Sequence, residues 1–392
     1  MTNHGTNFKA YVDKCIDPQW LSEHVGHPVR PHYLRLKPGT SIAVGYVRNT
    51  PAADGAAHGV AEFGWARLLW PDARSKAAKA ADKARERGES LRGAWLDGEI
   101  LFQTGTMLTD PKLIEVLEEA GLSVRSAGEL GGVEVLRYNP LRRVVVRKGK
   151  QVVRISAAQQ LDEDSYRAVG RAVEVAPMID FQPGGYISTV AYVGAGDLAH
   201  GAAAAQGPLH EEAGRMLARL HASAQLAVDT ACTDGRVQLE AHAGILDSLD
   251  ADLAARVRRV AQTLPAVGGE RVVLHGDASA DQFLYSPTGE VWMTDFDRLC
   301  AGPAAMDLGS YLAECGGAAG RALLTGYGEL RELPSPHRLA AAKAHSLAAR
   351  LMGPLRTAQP DWRERVSQGL EQLEQTIAES LRLTPERAQE GE

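Results

Sequence analysis

The sequence predicts an α+β protein of two lobes, a small antiparallel-sheet lobe followed by a large helical lobe, with an additional N-terminal α/β cap segment in front. Three observations predict it. Short strand-like runs cluster between Val133 and Val193, the pattern turns mainly helical past Gly194, and one strand–loop–strand unit, Arg271–Asp297, interrupts the helices. A chain of 392 residues suits one large or two to three modest domains. The expected division is 1–128 for the cap segment, 129–193 for the sheet lobe with its connecting strand, and 194–392 for the helical lobe.

Within the cap segment, Tyr33–Val47 (YLRLKPGTSIAVGYV) reads as a hairpin, two strand-like runs broken by Lys37-Pro38-Gly39-Thr40. Pro71–Glu89 reads as an alanine-rich helix with Gly88 near its end. Lys76, Lys79, Lys83 and Arg87 recur at helical spacing and form one basic stripe. Asp72, Asp82 and Glu86 balance it, which favours a solvated helix face; a docking surface for an acidic partner or peptide is the alternative.

The sheet lobe follows. Val133–Tyr138, Arg143–Arg147 and Gln151–Ile155 read as three antiparallel strands, separated by Asn139-Pro140 and by Lys148-Gly149-Lys150. Leu161–Val175 reads as a helix, and Met178–Phe181 and Tyr186–Val193 as strands around Gln182-Pro183-Gly184-Gly185. Leu34-Arg35-Leu36-Lys37-Pro38 and Leu136-Arg137-Tyr138-Asn139-Pro140 are alike, which fits either a repeated hairpin module or coincidence. In the helical lobe, Glu211–Ala224 carries Ala213, Leu217, Leu220 and Ala224 on one face. Residues from about Thr384 are polar and expected to fray.

Composition narrows the function. With 44% hydrophobic and 23% charged residues, the chain can bury a sizeable core. A net charge of -6 gives no basic signature, so no nucleic-acid partner is expected. Cys15, Cys232, Cys300 and Cys315 lack paired spacing, which argues against a zinc site and suits a reducing compartment. The start lacks the pattern of a signal peptide, and no apolar run is long enough to span a bilayer. The expectation is a soluble, cytoplasmic protein with no membrane association.

The most informative stretch is VVLHGDASADQFLY (Val272–Tyr285) with VWMTDFD (Val291–Asp297). One apolar strand delivers His275-Gly276-Asp277, Gln282 opens a return strand, and a further strand ends in Asp295-Phe296-Asp297. Two strands side by side would bring Asp277, Gln282 and Asp295 to one end of a hairpin. Phosphoryl transfer needs an acceptor hydroxyl in position, a carboxylate to take its proton, and oxygen ligands that hold Mg²⁺ against the phosphates. Asp277 suits the base, while Asp295 and the amide oxygen of Gln282 suit the metal. Gly276 leaves room for close backbone approach.

Here the chain resembles the aminoglycoside phosphotransferase and choline kinase superfamily. The resemblance rests on His275-Gly276-Asp277, four residues, then Gln282; on Thr294-Asp295-Phe296-Asp297; on Gly302-Pro303-Ala304-Ala305-Met306-Asp307-Leu308; and on the helix Ala213–His221. It covers about Val133 to Leu312. It implies a bilobal protein-kinase-like fold and transfer of a phosphoryl group from ATP, with Mg²⁺, to a hydroxyl-bearing acceptor. It also implies that Asp307 braces the catalytic loop, that His275 orders it, and that Asp297 adds a metal contact or caps the next turn. Arg142 and Arg143 would approach phosphates, and Tyr192 and Val193 would fall at the hinge beside adenine.

Two positions depart from the family pattern. Gln282 replaces an asparagine and offers the same amide oxygen one methylene further out. The lysine that should reach the α/β-phosphates is missing from Gln151–Ile155, where Arg154 offers a rigid fork instead; Lys150 is the other candidate. Its acidic partner is sought among Glu163, Asp164 and Glu174. The leading function is a kinase acting on a small molecule. One alternative is a kinase for Ser or Thr of a ribosomally made peptide precursor during natural-product maturation; another is a non-catalytic pseudokinase binding module.

Overall fold

The computed structural model describes residues 4–48, 60–123, 132–159, 162–201, 205–223, 228 and 230–384. The expected boundary at 128 and the tail after 384 lie outside these residues. The N-terminal segment runs α1 (His4–Ile16), α2 (Pro18–Val25), β1 (Val29–Lys37), β2 (Ser41–Arg48), β3 (Phe63–Leu69), α3 (Ser75–Arg85), β4 (Arg92–Leu96), β5 (Ile100–Thr106) and α4 (Ile114–Glu119). The hairpin read from the sequence is β1–β2, and its turn closes with the Thr40 N–H donating to the Lys37 carbonyl at 2.9 Å. α3 starts later than expected because Pro71–Ala73 form a separate 3₁₀ turn.

The sheet lobe follows the expected pattern: β6 (Val133–Asn139), β7 (Arg143–Lys148), β8 (Gln151–Ser156), α5 (Glu163–Ala172), β9 (Met178–Phe181) and β10 (Ile187–Ala191). The two five-stranded sheets share one plan. Their strand orders are β1-β2-β3-β5-β4 and β6-β7-β8-β10-β9, each with a helix after its third strand. The ladders match as well: Arg35 pairs Ala43, which pairs Arg67, while Arg137 pairs Val145, which pairs Arg154. The two similar sequence runs therefore hold equivalent places in two sheets of the same topology, which favours a repeated module over coincidence.

The remainder comprises β11 (Gly196–Asp197), α6 (Gly207–His221), α7 (Gly235–Leu246), α8 (Ala251–Thr263), β12 (Arg271–Leu274), β13 (Phe283–Tyr285), β14 (Val291–Met293), β15 (Cys300–Pro303), α9 (Ala305–Glu314), α10 (Gly317–Gly328), α11 (Pro336–Arg350), α12 (Gly353–Arg356) and α13 (Trp362–Leu383). One pairing differs from expectation. β12 pairs with β15, not with the return strand, and β13 pairs with β14. The chain makes a 3₁₀ turn at Ala280–Gln282 before entering β13, which separates it from β12.

Apolar contacts tie the segments together. Phe8, Tyr11 and Val12 of α1, with Ile42 and Phe102 of the first sheet, share a core with Leu239, Trp362 and Leu370 of the helical lobe. Trp65, Met107 and Leu113 share another with Val135, Tyr138 and Val146 of the second sheet. The N-terminal segment is thus anchored to both lobes. Among the described residues no helix is long and apolar enough to cross a membrane.

Candidate active site

The catalytic loop leaves β12 at His275. Asp307, in the first turn of α9 and 1% exposed, accepts the His275 N–H at 2.7 Å on one oxygen and the Gly276 N–H at 2.9 Å on the other. His221 of α6 lies 3.1 Å from the same carboxylate and touches the Tyr327 hydroxyl, so it is a packed brace. Burial alone would raise the Asp307 carboxyl; the His221 hydrogen bond and the His275 N–H outweigh it and hold it below the ordinary range. Gly276 has φ +78, and a Cβ there would lie 2.1 Å from the Arg298 carbonyl oxygen, so the loop requires glycine.

His275 fixes the loop to the metal strand. Its Nδ1 accepts the Asp277 N–H at 3.3 Å, which puts the ring proton on Nε2, and Nε2 donates to the Thr294 carbonyl at 2.7 Å. The Thr294 N–H donates in turn to the Gln282 carbonyl at 2.9 Å. Gln282 and Asp295 therefore flank the open end of the β13–β14 hairpin, and Asp277 arrives from the loop beside them. Asp295 adopts a left-handed conformation (φ 61, ψ 61) that turns the chain sharply out of β14. Phe296 anchors this turn, buried against Tyr166 of α5 and the His275 ring.

Two arginines from the second sheet meet the two aspartates of this turn. Arg143 reaches Asp295 at 3.3 Å and Asp297 at 3.1 Å; Arg154 reaches Asp295 at 3.1 Å and also pairs with Asp297. Burial pushes the Asp295 carboxyl up, but Arg154 and Arg143 overcome it and hold the group down at about 2. Two of the three acids sought as partners of Arg154 are engaged otherwise: Glu163 pairs with Arg167 one turn along α5, and Glu174 with Arg219. Lys150 is exposed in the β7–β8 turn, so Arg154 is the cation that reaches the aspartates.

Arg143, Asp277, Gln282, Asp295, Asp297 and Asp307 line one cleft of about 2600 Å³. Tyr192 and Val193 do not line it. The Tyr192 N–H is taken by the Lys150 carbonyl at 2.8 Å, and its ring lies under the Arg147 guanidinium. Three features escaped the sequence. Arg298 and Arg350 flank Asp277 at 3.3 and 3.9 Å. Glu314 accepts the Ala280 N–H at 3.0 Å, bracing the loop from α9. Asp110, wholly buried in the N-terminal segment, accepts the Leu141 N–H and the Tyr138 hydroxyl, each at 2.8 Å, and so pins the turn before Arg143. Only Arg298, next to Asp297 in the chain, had a neighbouring signal.

An antiparallel sheet lobe, a helical lobe and acidic loops in the cleft between them define a two-lobed kinase-like protein. The chain matches the model of the phosphotransferase enzyme family (APH) over residues 133–342, and it belongs to that family. The matched span begins at β6, so the first sheet lies outside it. A choline/ethanolamine kinase family protein from Mesorhizobium loti is similar in structure, with a TM-score of 0.52 at 17% identity, covering 69% of this chain and 98% of that one. Choline kinase LicA from Streptococcus pneumoniae scores 0.47 at 13% identity, covering 68% and 99%. Amicoumacin kinase hAmiN scores 0.49 at 15% identity, covering 67% and 93%. No curated protein matches the chain by sequence.

Proposed function

We propose that this protein transfers the γ-phosphoryl group of ATP to a hydroxyl group of a small molecule, with Mg²⁺, in the cleft described. The observation that carries the reading is that Asp277, Gln282 and Asp295 line one cleft, with Arg143 and Arg154 paired to Asp295. Asp277 accepts the proton of the acceptor hydroxyl as its oxygen bonds to the γ-phosphorus; the bond from that phosphorus to the β–γ bridging oxygen breaks, and ADP leaves. Arg298 and Arg350 orient the Asp277 carboxylate. Arg143 and Arg154 exchange their aspartate partners for phosphate oxygens when nucleotide enters. Asp297 holds those arginines in its absence, and Asp307 and His275 keep the loop rigid.

The donor set fits Mg²⁺. Asp295 offers a carboxylate and Gln282 an amide that forms no hydrogen bond among the described residues, both hard oxygen ligands. No group of three His, Cys, Asp or Glu side chains there is close enough to hold a metal alone, so the remaining ligands would come from phosphate and water. Bound there, the cation would neutralise charge on the phosphates. That other solved phosphotransferases of this fold hold GDP with kanamycin, or AMP-PNP with Ca²⁺ and amicoumacin, agrees with a nucleotide and a small acceptor sharing one cleft. Unpaired cysteines, two of them buried, suit a cytoplasmic enzyme.

A second reading, an acceptor hydroxyl on a Ser or Thr of a peptide, is favoured by the cleft's size and is developed below. To test the main reading, the protein is incubated with Mg²⁺·ATP and a panel of alcohols, with ADP and phosphate esters read by mass spectrometry. Acceptor-dependent ADP release that disappears in Asp277→Ala supports it and excludes a pseudokinase. ATP that neither binds nor turns over with any acceptor refutes it.

A further inference from the structure

The cleft extends far beyond the catalytic loop. Sites for small molecules typically enclose roughly 300–1,000 Å³; this one measures about 2600 Å³. The additional space lies against the first sheet. Strand alternation sets Arg35 and Lys37 of β1 on the cleft face, with Ala43 and Ser41 as their ladder partners on β2. α3 covers the far side of the same face, where Ala73 and Ala77 pack on Leu69 and Leu101. Arg67 and Gln103 donate to the α3 carbonyls of Lys76 and Ala77 and lock the helix in place. A trough results, with small residues on its floor, Arg35 and Lys37 on one side and Lys76 and Lys79 of α3 on the other.

Three residues of the stripe that the sequence favoured as a solvated helix face, Lys76, Lys79 and Lys83, therefore line the cleft of the candidate active site, while Arg87 pairs with Glu118 instead. Lys83 is engaged by Glu115 at 2.9 Å, whereas Arg35, Lys37, Lys76, Lys79 and nearby Lys112 form no ion pair among the described residues. Five cations without an ion pair among the described residues, facing one trough of a chain of net charge -6, form a local positive field. Four of the five are lysines, compact charges on flexible stems that can follow anionic groups spaced along an extended chain. Tyr33 is 7% exposed, and Phe63 packs edge-on against Tyr138, so neither ring offers a platform for a nucleobase. Arg67, which holds the place in this sheet that Arg154 holds in the other, is buried and bonded to Gln103, so the trough is not a second nucleotide site.

We propose that the trough seats an acidic peptide segment of the acceptor, remote from the Ser or Thr hydroxyl that Asp277 deprotonates. The proposal rests on the phosphotransferase reading and adds to it the class of acceptor. Its test measures binding, by fluorescence anisotropy with the full chain, of a serine-containing peptide bearing a run of glutamates and of the same peptide with glutamines. The glutamate peptide should bind at least about tenfold more tightly, with a preference that falls as salt rises. The pair K76E/K79E should cost about tenfold in affinity and K76Q/K79Q less, while affinity for an ATP analogue stays the same. Equal binding of the two peptides, indifference to both variants, or displacement by single-stranded oligonucleotide in preference to peptide overturns the proposal. Failure of the phosphotransferase reading has a different signature: no Mg²⁺·ATP binding and no transfer to any acceptor, whatever the trough binds.

Discussion

Replacing Asp295 with asparagine separates the roles that the carboxylate combines. Asparagine keeps the size of the side chain and tolerates the left-handed backbone at φ 61, so the fold should survive. What is lost is charge. A carboxyl held at about 2 instead of 3.8 stabilises the folded chain by roughly 2 kcal/mol once it is ionised. Because its folded value is depressed, that contribution is full above about pH 4 and disappears as pH falls towards 2. Urea denaturation of D295N should therefore show a deficit approaching 2 kcal/mol at pH 7 and a flatter stability profile between pH 4 and 2. Turnover should be lost. Metal-free ATP should bind at least as well as to the parent, because Arg143 and Arg154 no longer compete for Asp295, while Mg²⁺ should no longer improve binding. If D295N matched the parent in stability at both pH values, or retained Mg²⁺-dependent affinity, the reasoning about this cluster would be refuted.

Three further substitutions address other parts of the site. Asp277→Asn should lower kcat by about 10²–10⁴ while leaving ATP affinity nearly unchanged, as read by steady-state turnover against equilibrium nucleotide binding. Gly276→Ala should lower the thermal midpoint and abolish activity together, because its Cβ meets a backbone carbonyl at a strained φ; a midpoint equal to the parent's would contradict the close approach. Asp110→Asn removes the charge that pins Leu141 and Tyr138, and should raise KM for ATP more than it lowers kcat, an effect on the phosphate-facing turn that general destabilisation would not mimic.

Much of this architecture was legible in the chain, for local reasons. The strands Val133–Asn139, Arg143–Lys148 and Gln151–Ser156 are short runs rich in β-branched residues between clear turn signals, and His275-Gly276-Asp277 with Asp295-Phe296-Asp297 form contiguous motifs. The rest depends on contacts between distant segments. Arg154 pairs with residues about 140 positions away, because the second sheet closes over the β14 turn; the nearer Glu163 on α5 pairs with its own helical neighbour Arg167. Arg350 reaches Asp277 from α11, and Asp110 reaches Leu141 from the N-terminal segment, each an ordinary charged residue with no motif around it. The basic stripe on α3 was visible as a helical pattern, yet which way it faces is decided by how Ala73 and Ala77 dock on the first sheet. The shared order of the two sheets emerges only from strand pairing; two five-residue matches could not establish it.

The most direct measurement is a crystal structure of the protein with Mg²⁺ and a non-hydrolysable ATP analogue. The account predicts a cation about 2.1 Å from oxygens of Asp295 and Gln282, phosphates beside Asp277, and Arg143 and Arg154 moved from the aspartates onto phosphate oxygens. Nucleotide bound elsewhere, or a cation that leaves Gln282 and Asp295 untouched while both arginines keep their present partners, would contradict it.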